Sequence, residues 1–162
     1  MQAPKNKSKH VFSSNNLFLM EKQNIKLTVP FFAVSSMEES LRFYVDGLGF
    51  KITHKWIPAD KIAWCALKRE GASLMLQERG RKDPDASKRE GKAGIGVSIF
   101  FICEDALSIY RELVIKGINA SEPFVSNNMW LTSMRDPDGY SIEFESSTDV
   151  PEETKYSELY SQ

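Results

Sequence analysis

The chain has 162 residues and a formal net charge of −1, with 41% hydrophobic and 27% charged residues. That balance is ordinary for a soluble globular protein, and the length suits one domain or two fused half-size modules sharing a core. The near-neutral charge leaves no electrostatic case for nucleic acid or an anionic membrane, and no apolar run approaches the roughly 18 residues that a bilayer span needs.

Residues 1–23 are polar and basic up to Lys9. They are then only intermittently apolar, broken by Ser13-Ser14-Asn15-Asn16. Lacking the continuous apolar run of a signal peptide, they read as a flexible lead-in. A first unit, residues 24–80, begins with a strand over Ile25–Val34. Ser36 with Glu39 three residues on has the form of a capping box opening a helix with an apolar stripe at Leu41, Tyr44 and Val45, stopped by Asp46-Gly47. Strands follow near Phe50–Trp56, Ile62–Lys68 and Ser73–Glu78, the last two joined by a turn at Arg69-Glu70-Gly71. The pattern is βαβββ. Residues 81–95 are charged, without periodicity, and read as an exposed connector.

A second unit, residues 96–147, repeats the order. Gly96–Cys103 is strand-like; Glu104-Asp105 opens a helix with its stripe at Leu107, Tyr110, Leu113 and Val114, closed by Gly117. Ile118–Phe124 reads as a strand. Met129–Arg135 and Tyr140–Ser146 read as a hairpin around Asp136-Pro137-Asp138-Gly139, a strong turn signal. Residues 148–162 form an acidic tail with a short helix near Glu152–Leu159. Cys65 and Cys103 lie in strand-like apolar runs and read as small buried residues rather than a disulfide or metal pair, which fits a cytoplasmic location.

The two units echo each other in detail. Gly71-Ala72-Ser73-Leu74-Met75-Leu76-Gln77-Glu78 matches Gly139-Tyr140-Ser141-Ile142-Glu143-Phe144-Glu145-Ser146, and Leu48-Gly49-Phe50 matches Lys116-Gly117-Ile118 at the same spacing. Internal repetition of this kind describes an architecture directly. Met75 and Glu143 thereby become symmetry mates.

Paired βαβββ units ending in Asp136-Pro137-Asp138-Gly139-Tyr140-Ser141-Ile142-Glu143-Phe144 resemble the vicinal oxygen chelate superfamily, which contains glyoxalase I, bleomycin-resistance proteins and extradiol dioxygenases. Ser40-Leu41-Arg42-Phe43-Tyr44 before Leu48-Gly49-Phe50 strengthens the likeness, which spans about residues 25–147. The resemblance implies an α+β fold: two tandem βαβββ modules forming curved mixed sheets around a cleft, helices on the outer face. Family enzymes usually hold a divalent metal there. The four corresponding positions are Val29, Met75, Ser98 and Glu143. Valine has no donor atom, a thioether is too soft for hard divalent metals, and serine is a poor neutral ligand; a lone carboxylate does not make a catalytic metal site. Gln77, Glu78 and Glu145 are the remaining candidates to join Glu143. Of the two histidines, His10 lies in the lead-in and His54 reads as a solvated or hydrogen-bonded strand residue.

The expected result is a cleft without metal or other cofactor, lined by Phe31, Trp64, Met75, Ser98, Phe100, Trp130 and Glu143. Strand alternation puts Phe31 and Ala33 on the cleft side, as it does Phe100 and Ile102. Trp64 joins Met75's face if the hairpin turns at Glu70-Gly71. Glu143 would be the isolated carboxylate, satisfied by Arg135 or backbone, or acting as the general base if the protein is an enzyme. The resemblance is greatest to the bleomycin-resistance branch and implies a homodimer that binds a small aromatic or amphipathic molecule. The alternatives are a metal-dependent lyase, isomerase or dioxygenase of the same superfamily, or a vestigial structural module.

Overall fold

The computed structural model describes residues 24–80 and 94–160. The lead-in and nearly all of the connector therefore lie outside the described residues. The chain builds two four-stranded mixed sheets, each from one βαβββ unit, in the α+β class that the repeat implies. The first holds β1 (Phe31–Val34), β2 (Lys51–Trp56), β3 (Trp64–Arg69) and β4 (Ala72–Glu78) in the order β1-β4-β3-β2. The second holds β5 (Ser98–Ile102), β6 (Phe124–Ser126), β7 (Met129–Arg135) and β8 (Ser141–Ser147) in the order β5-β8-β7-β6. In each, the first strand runs parallel to the last and the others are antiparallel.

The helices begin where capping chemistry puts them. Ser36 accepts the Glu39 N–H at the start of α1 (Met37–Leu41), and Asp105 accepts the Ser108 N–H at the start of α2 (Ala106–Ile115). A second symmetric device anchors each helix to its own sheet. Glu78 at the end of β4 accepts the Met37 N–H at 2.9 Å, and its repeat mate Ser146 accepts the Ala106 N–H at the same distance. One orphan donor of each helix N-terminus is thus satisfied by the last strand of its module. After α1 the backbone widens into a π-helical stretch, Arg42–Gly47, and the left-handed residue that ends it is Gly49 (φ 72°) rather than Gly47. Gly117 (φ 70°) closes α2 as expected.

Two expected strands and the tail differ from the sequence reading. The first shrinks to Phe31–Val34, because Pro30 has no N–H to donate and Ile25–Val29 lie beyond the ladder with β4. Ile118–Phe124 is not a strand. Ile118 packs against Gly47, Pro123 interrupts the ladder, and only Phe124–Ser126 pairs with β7. The acidic tail is not merely solvated: the Val125 N–H donates to the Thr154 carbonyl, the Val125 carbonyl accepts the Glu153 N–H, Phe124 bridges Lys155, and the chain then turns into α3 (Tyr156–Tyr160). The tail thereby covers the free edge of β6.

The main core lies between the modules. Phe32, Val34, Tyr44, Phe50, Cys65, Leu67, Leu74 and Leu76 from the first pack with Leu113, Met134, Ile142 and Phe144 from the second. Cys65 is buried in this core and Cys103 packs at its margin, both as free thiols. Phe32 stacks on Tyr140 with ring centroids 4.2 Å apart, and the Tyr44 hydroxyl donates to Asp136 at 2.9 Å. Asp138 accepts the Ser35 N–H with both carboxylate oxygens. The Asp-Pro-Asp-Gly turn of module two therefore clasps the β1–α1 junction of module one. Gly94 lies against the same turn. A Cβ there would come within 2.5 Å of the Tyr140 ring, at a φ of 74° that disfavours any side chain. Gly94→Ala is expected to lower the thermal midpoint by several degrees without changing the fold, measurable by circular dichroism.

Candidate functional site

Helices and inter-module core cover one face of each sheet, and no helix or strand among the described residues packs on the other, here called the bare face. Which residues the bare face carries follows from register, since directly opposite residues share a face. Across the first sheet one row reads His54–Ala66–Met75–Phe31 and the next reads Trp56–Trp64–Gln77–Ala33. Across the second, one row reads Ser133–Glu143–Phe100 and the next reads Leu131–Glu145–Ile102. Phe32, Val34 and Phe101 turn the other way and pack in the core.

Six of the seven residues expected in the cleft fall on these bare faces. Phe31, Trp64 and Met75 are on the first; Ser98, Phe100 and Glu143 are on the second. Phe31 and Phe100 are 53% and 48% exposed, a large apolar area for two strands that both lie at sheet edges. The seventh, Trp130, is a correction. Its partner is Ser146, on the covered face, and it is only 5% exposed, packed with Ala106, Leu107 and Val125. The register of the hairpin sends its indole into a second core cluster.

Glu143 is half-buried between Phe100 and Ser133. Ser141 donates a hydrogen bond to its carboxylate at 3.3 Å. Arg135 does not pair with it: that guanidinium donates to the Gly139 carbonyl at 2.9 Å instead. Among the described residues no cation forms an ion pair with Glu143. It therefore stands as an acceptor-only group on a wall that also carries Glu145, hydroxyls and apolar side chains.

Alternation alone does not orient two further members of this surface, His54 and Trp56. A β-bulge inserts one extra residue between Ile52, opposite Leu67, and His54, opposite Ala66. Without it Thr53 would stand opposite Ala66, and both His54 and Trp56 would point the other way. The bulge turns them onto the bare face beside Met75 and Trp64, a known use of such irregularities. Nothing in a one-residue alternation pattern signals it.

The metal fit is poor on the chemistry of the donors. Val29 and Met75 contribute no oxygen or nitrogen. Glu78 is turned to the covered face and committed to the Met37 N–H. Among the described residues no three His, Cys, Asp or Glu side chains gather closely enough to hold an ion. A hollow of about 280 Å³ does open at the module seam, reaching Phe50, Arg69, Cys103 and Ile109 and the flank of β5, but neither Met75 nor Glu143 lines it. Arg69, its one cation, already donates to the Leu48 carbonyl and pairs with Glu112 at 3.2 Å.

Comparison with known proteins bears on this geometry. A family model described as the Glyoxalase/Bleomycin resistance protein/Dioxygenase superfamily matches residues 26–144. No curated protein sequence matches significantly. Among solved structures, TnmS3, an antibiotic binding protein from Streptomyces sp. CB03234, aligns with a TM-score of 0.59 at 21% identity, over 78% of this chain and 99% of its own. UcmS2 aligns with a TM-score of 0.63 at 15% identity, over 76% and 98%. A glyoxalase/bleomycin resistance protein/dioxygenase from Nocardioides gives 0.59 at 17%, over 81% and 90%. At these identities the likeness is one of fold. No helix among the described residues is long and apolar enough to cross a membrane.

Proposed function

The chain belongs to the Glyoxalase/Bleomycin resistance protein/Dioxygenase superfamily, and from that premise we propose that it is a metal-independent, cytoplasmic homodimer that binds a small aromatic or amphipathic molecule. The observation that carries this reading is the broken symmetry of the repeat. Where Glu143 stands in the second wall, Met75 stands in the first, among Phe31, Trp56 and Trp64. Such a wall favours apolar, flat ligands, with the carboxylates of Glu143 and Glu145 on the other wall to orient a hydroxyl or a cation. The antibiotic-binding role stated for TnmS3 is compatible with it.

Dimerisation is supported by where the exposed apolar area lies. Phe31, Phe100, Ile102 and Val97 border β1 and β5, two of the three edge strands, with β2, that the tail leaves uncovered. Pairing β1 of one copy with β5 of another, twice about a two-fold axis, would shelter these side chains. It would also place a Met75 wall beside a Glu143 wall in each of two equivalent clefts.

Two measurements test this. In sedimentation velocity the wild type is expected to run as a dimer at micromolar concentration, and Phe100→Glu, which places a charge on the shared wall, as a monomer. A monomeric wild type contradicts the shared cleft. Metal analysis of protein purified without chelator is expected to find substoichiometric Ni, Zn, Mn and Fe. A full equivalent that disappears in Glu143→Ala would move the protein to the metal-dependent lyase, isomerase or dioxygenase reading.

A further inference from the structure

We propose that His54 is a ligand-contacting residue of the cleft, its Nε2 accepting a hydrogen bond from a donor group, a hydroxyl or an amine, on the edge of an aromatic ligand. The inference rests on the reading of the bare face as a binding wall. It adds a recognition element that the repeat does not contain, because the bulge at Thr53 has no counterpart among the pairings of the second sheet.

The argument starts from protons. The Thr53 hydroxyl donates to the Ala66 carbonyl at 3.1 Å. Its single proton is thereby used, so toward His54 Nδ1, 3.3 Å away, the same oxygen can only accept. In the neutral ring Nδ1 therefore carries the hydrogen and Nε2 the lone pair. Among the described residues Nε2 has no partner. The bulge residue thus does two things: it turns the imidazole to the bare face and sets its tautomer.

The surroundings fit an aromatic ligand. His54 and Met75 flank Ala66 in one row, and the small side chain leaves a shallow floor between them. In the next row Trp56, 59% exposed, stands opposite Trp64. A ring lying over Ala66 meets a thioether on one side, indoles on another and an acceptor nitrogen at its rim. Large apolar walls give affinity, and a single directed hydrogen bond gives orientation.

A matched pair of probes tests this, with binding followed by calorimetry: 2-naphthol, which carries a hydroxyl, and 2-methoxynaphthalene, in which that proton is replaced by methyl. The wild type is expected to prefer 2-naphthol by about three- to tenfold, the range of one net hydrogen bond. In His54→Leu the preference is expected to fall to about one, with 2-methoxynaphthalene binding as before. Deleting Thr53 should have the same effect by turning His54 away; His54→Leu keeps the test valid if that deletion variant does not fold. A preference that survives His54→Leu overturns the inference and leaves the cleft reading standing. Absence of binding by both probes to the wild type overturns the cleft reading, and this inference with it.

Discussion

Asp136→Ala is expected to cost about 3–5 kcal/mol of folding free energy, a large share of the 5–15 kcal/mol typical of a domain. Asp136 is 4% exposed, and its carboxylate is fully engaged. One oxygen accepts the Asp138 N–H at 3.0 Å and the Tyr140 N–H at 2.8 Å; the other accepts the Tyr44 hydroxyl at 2.9 Å. Alanine leaves three donors without an acceptor, two of them backbone groups that hold the turn and one a phenol with no exposed surface. Each buried orphan costs about 1–3 kcal/mol. A shift of the urea midpoint with unchanged slope checks it, and a wild-type midpoint would show that the clasp does not hold the modules together.

Asp136→Asn separates shape from charge. The amide keeps one oxygen for the two backbone donors and offers an N–H to the Tyr44 oxygen. Burial pushes the Asp136 carboxyl above the ordinary aspartate value of 3.8, an effect that its hydrogen bonds from Tyr140, Tyr44 and Asp138 oppose and the neighbouring Asp138 charge reinforces. A carboxyl raised in the folded state binds its proton more tightly there than in the unfolded chain. Its contribution to stability is therefore fully present below the unfolded value and is lost as pH rises through the folded one. The stability difference between wild type and Asp136→Asn should decline from about pH 4 upward.

The repeat made the architecture legible before any coordinates, because local signals and global pattern agreed. Ser36 and Asp105 sit where caps are needed, Gly117 where a left-handed residue is needed, and alternation in β1, β4, β5 and β8 matches one covered and one bare face. What was not legible depends on partners distant in sequence. Ile25–Val29 has strand composition but finds no ladder partner among the described residues. Ile118 is spent filling the space above Gly47. The tail finds β6 only because that edge is open. The facing of His54 and Trp56 was not legible because a single inserted residue reverses parity, which a pattern of period two cannot register. The site is therefore half-readable. Alternation on the repeat strands placed Phe31, Trp64, Met75, Ser98, Phe100 and Glu143 on the bare faces, while the bulge in β2, which breaks the pattern, hid the orientation of His54 and Trp56.

The two tryptophans make the sharpest contrast within this scaffold. Trp130→Ala empties part of the cluster of Ala106, Leu107, Val125 and Tyr156 and is expected to cost about 3–5 kcal/mol of stability, as large aromatic truncations in cores do. Ligand affinity of the molecules that remain folded should not change, since the indole never reaches the bare face. Trp64→Ala should behave in the opposite sense. Its ring is half-buried on the bare face opposite Gln77 and Trp56, so truncation removes binding surface more than core. Its stability loss should stay near 1 kcal/mol while affinity for an aromatic probe drops about tenfold. Urea denaturation paired with calorimetric titration measures both quantities on each variant. If Trp130→Ala instead abolished binding at wild-type stability, the ligand would lie on the helix-covered side of the second sheet.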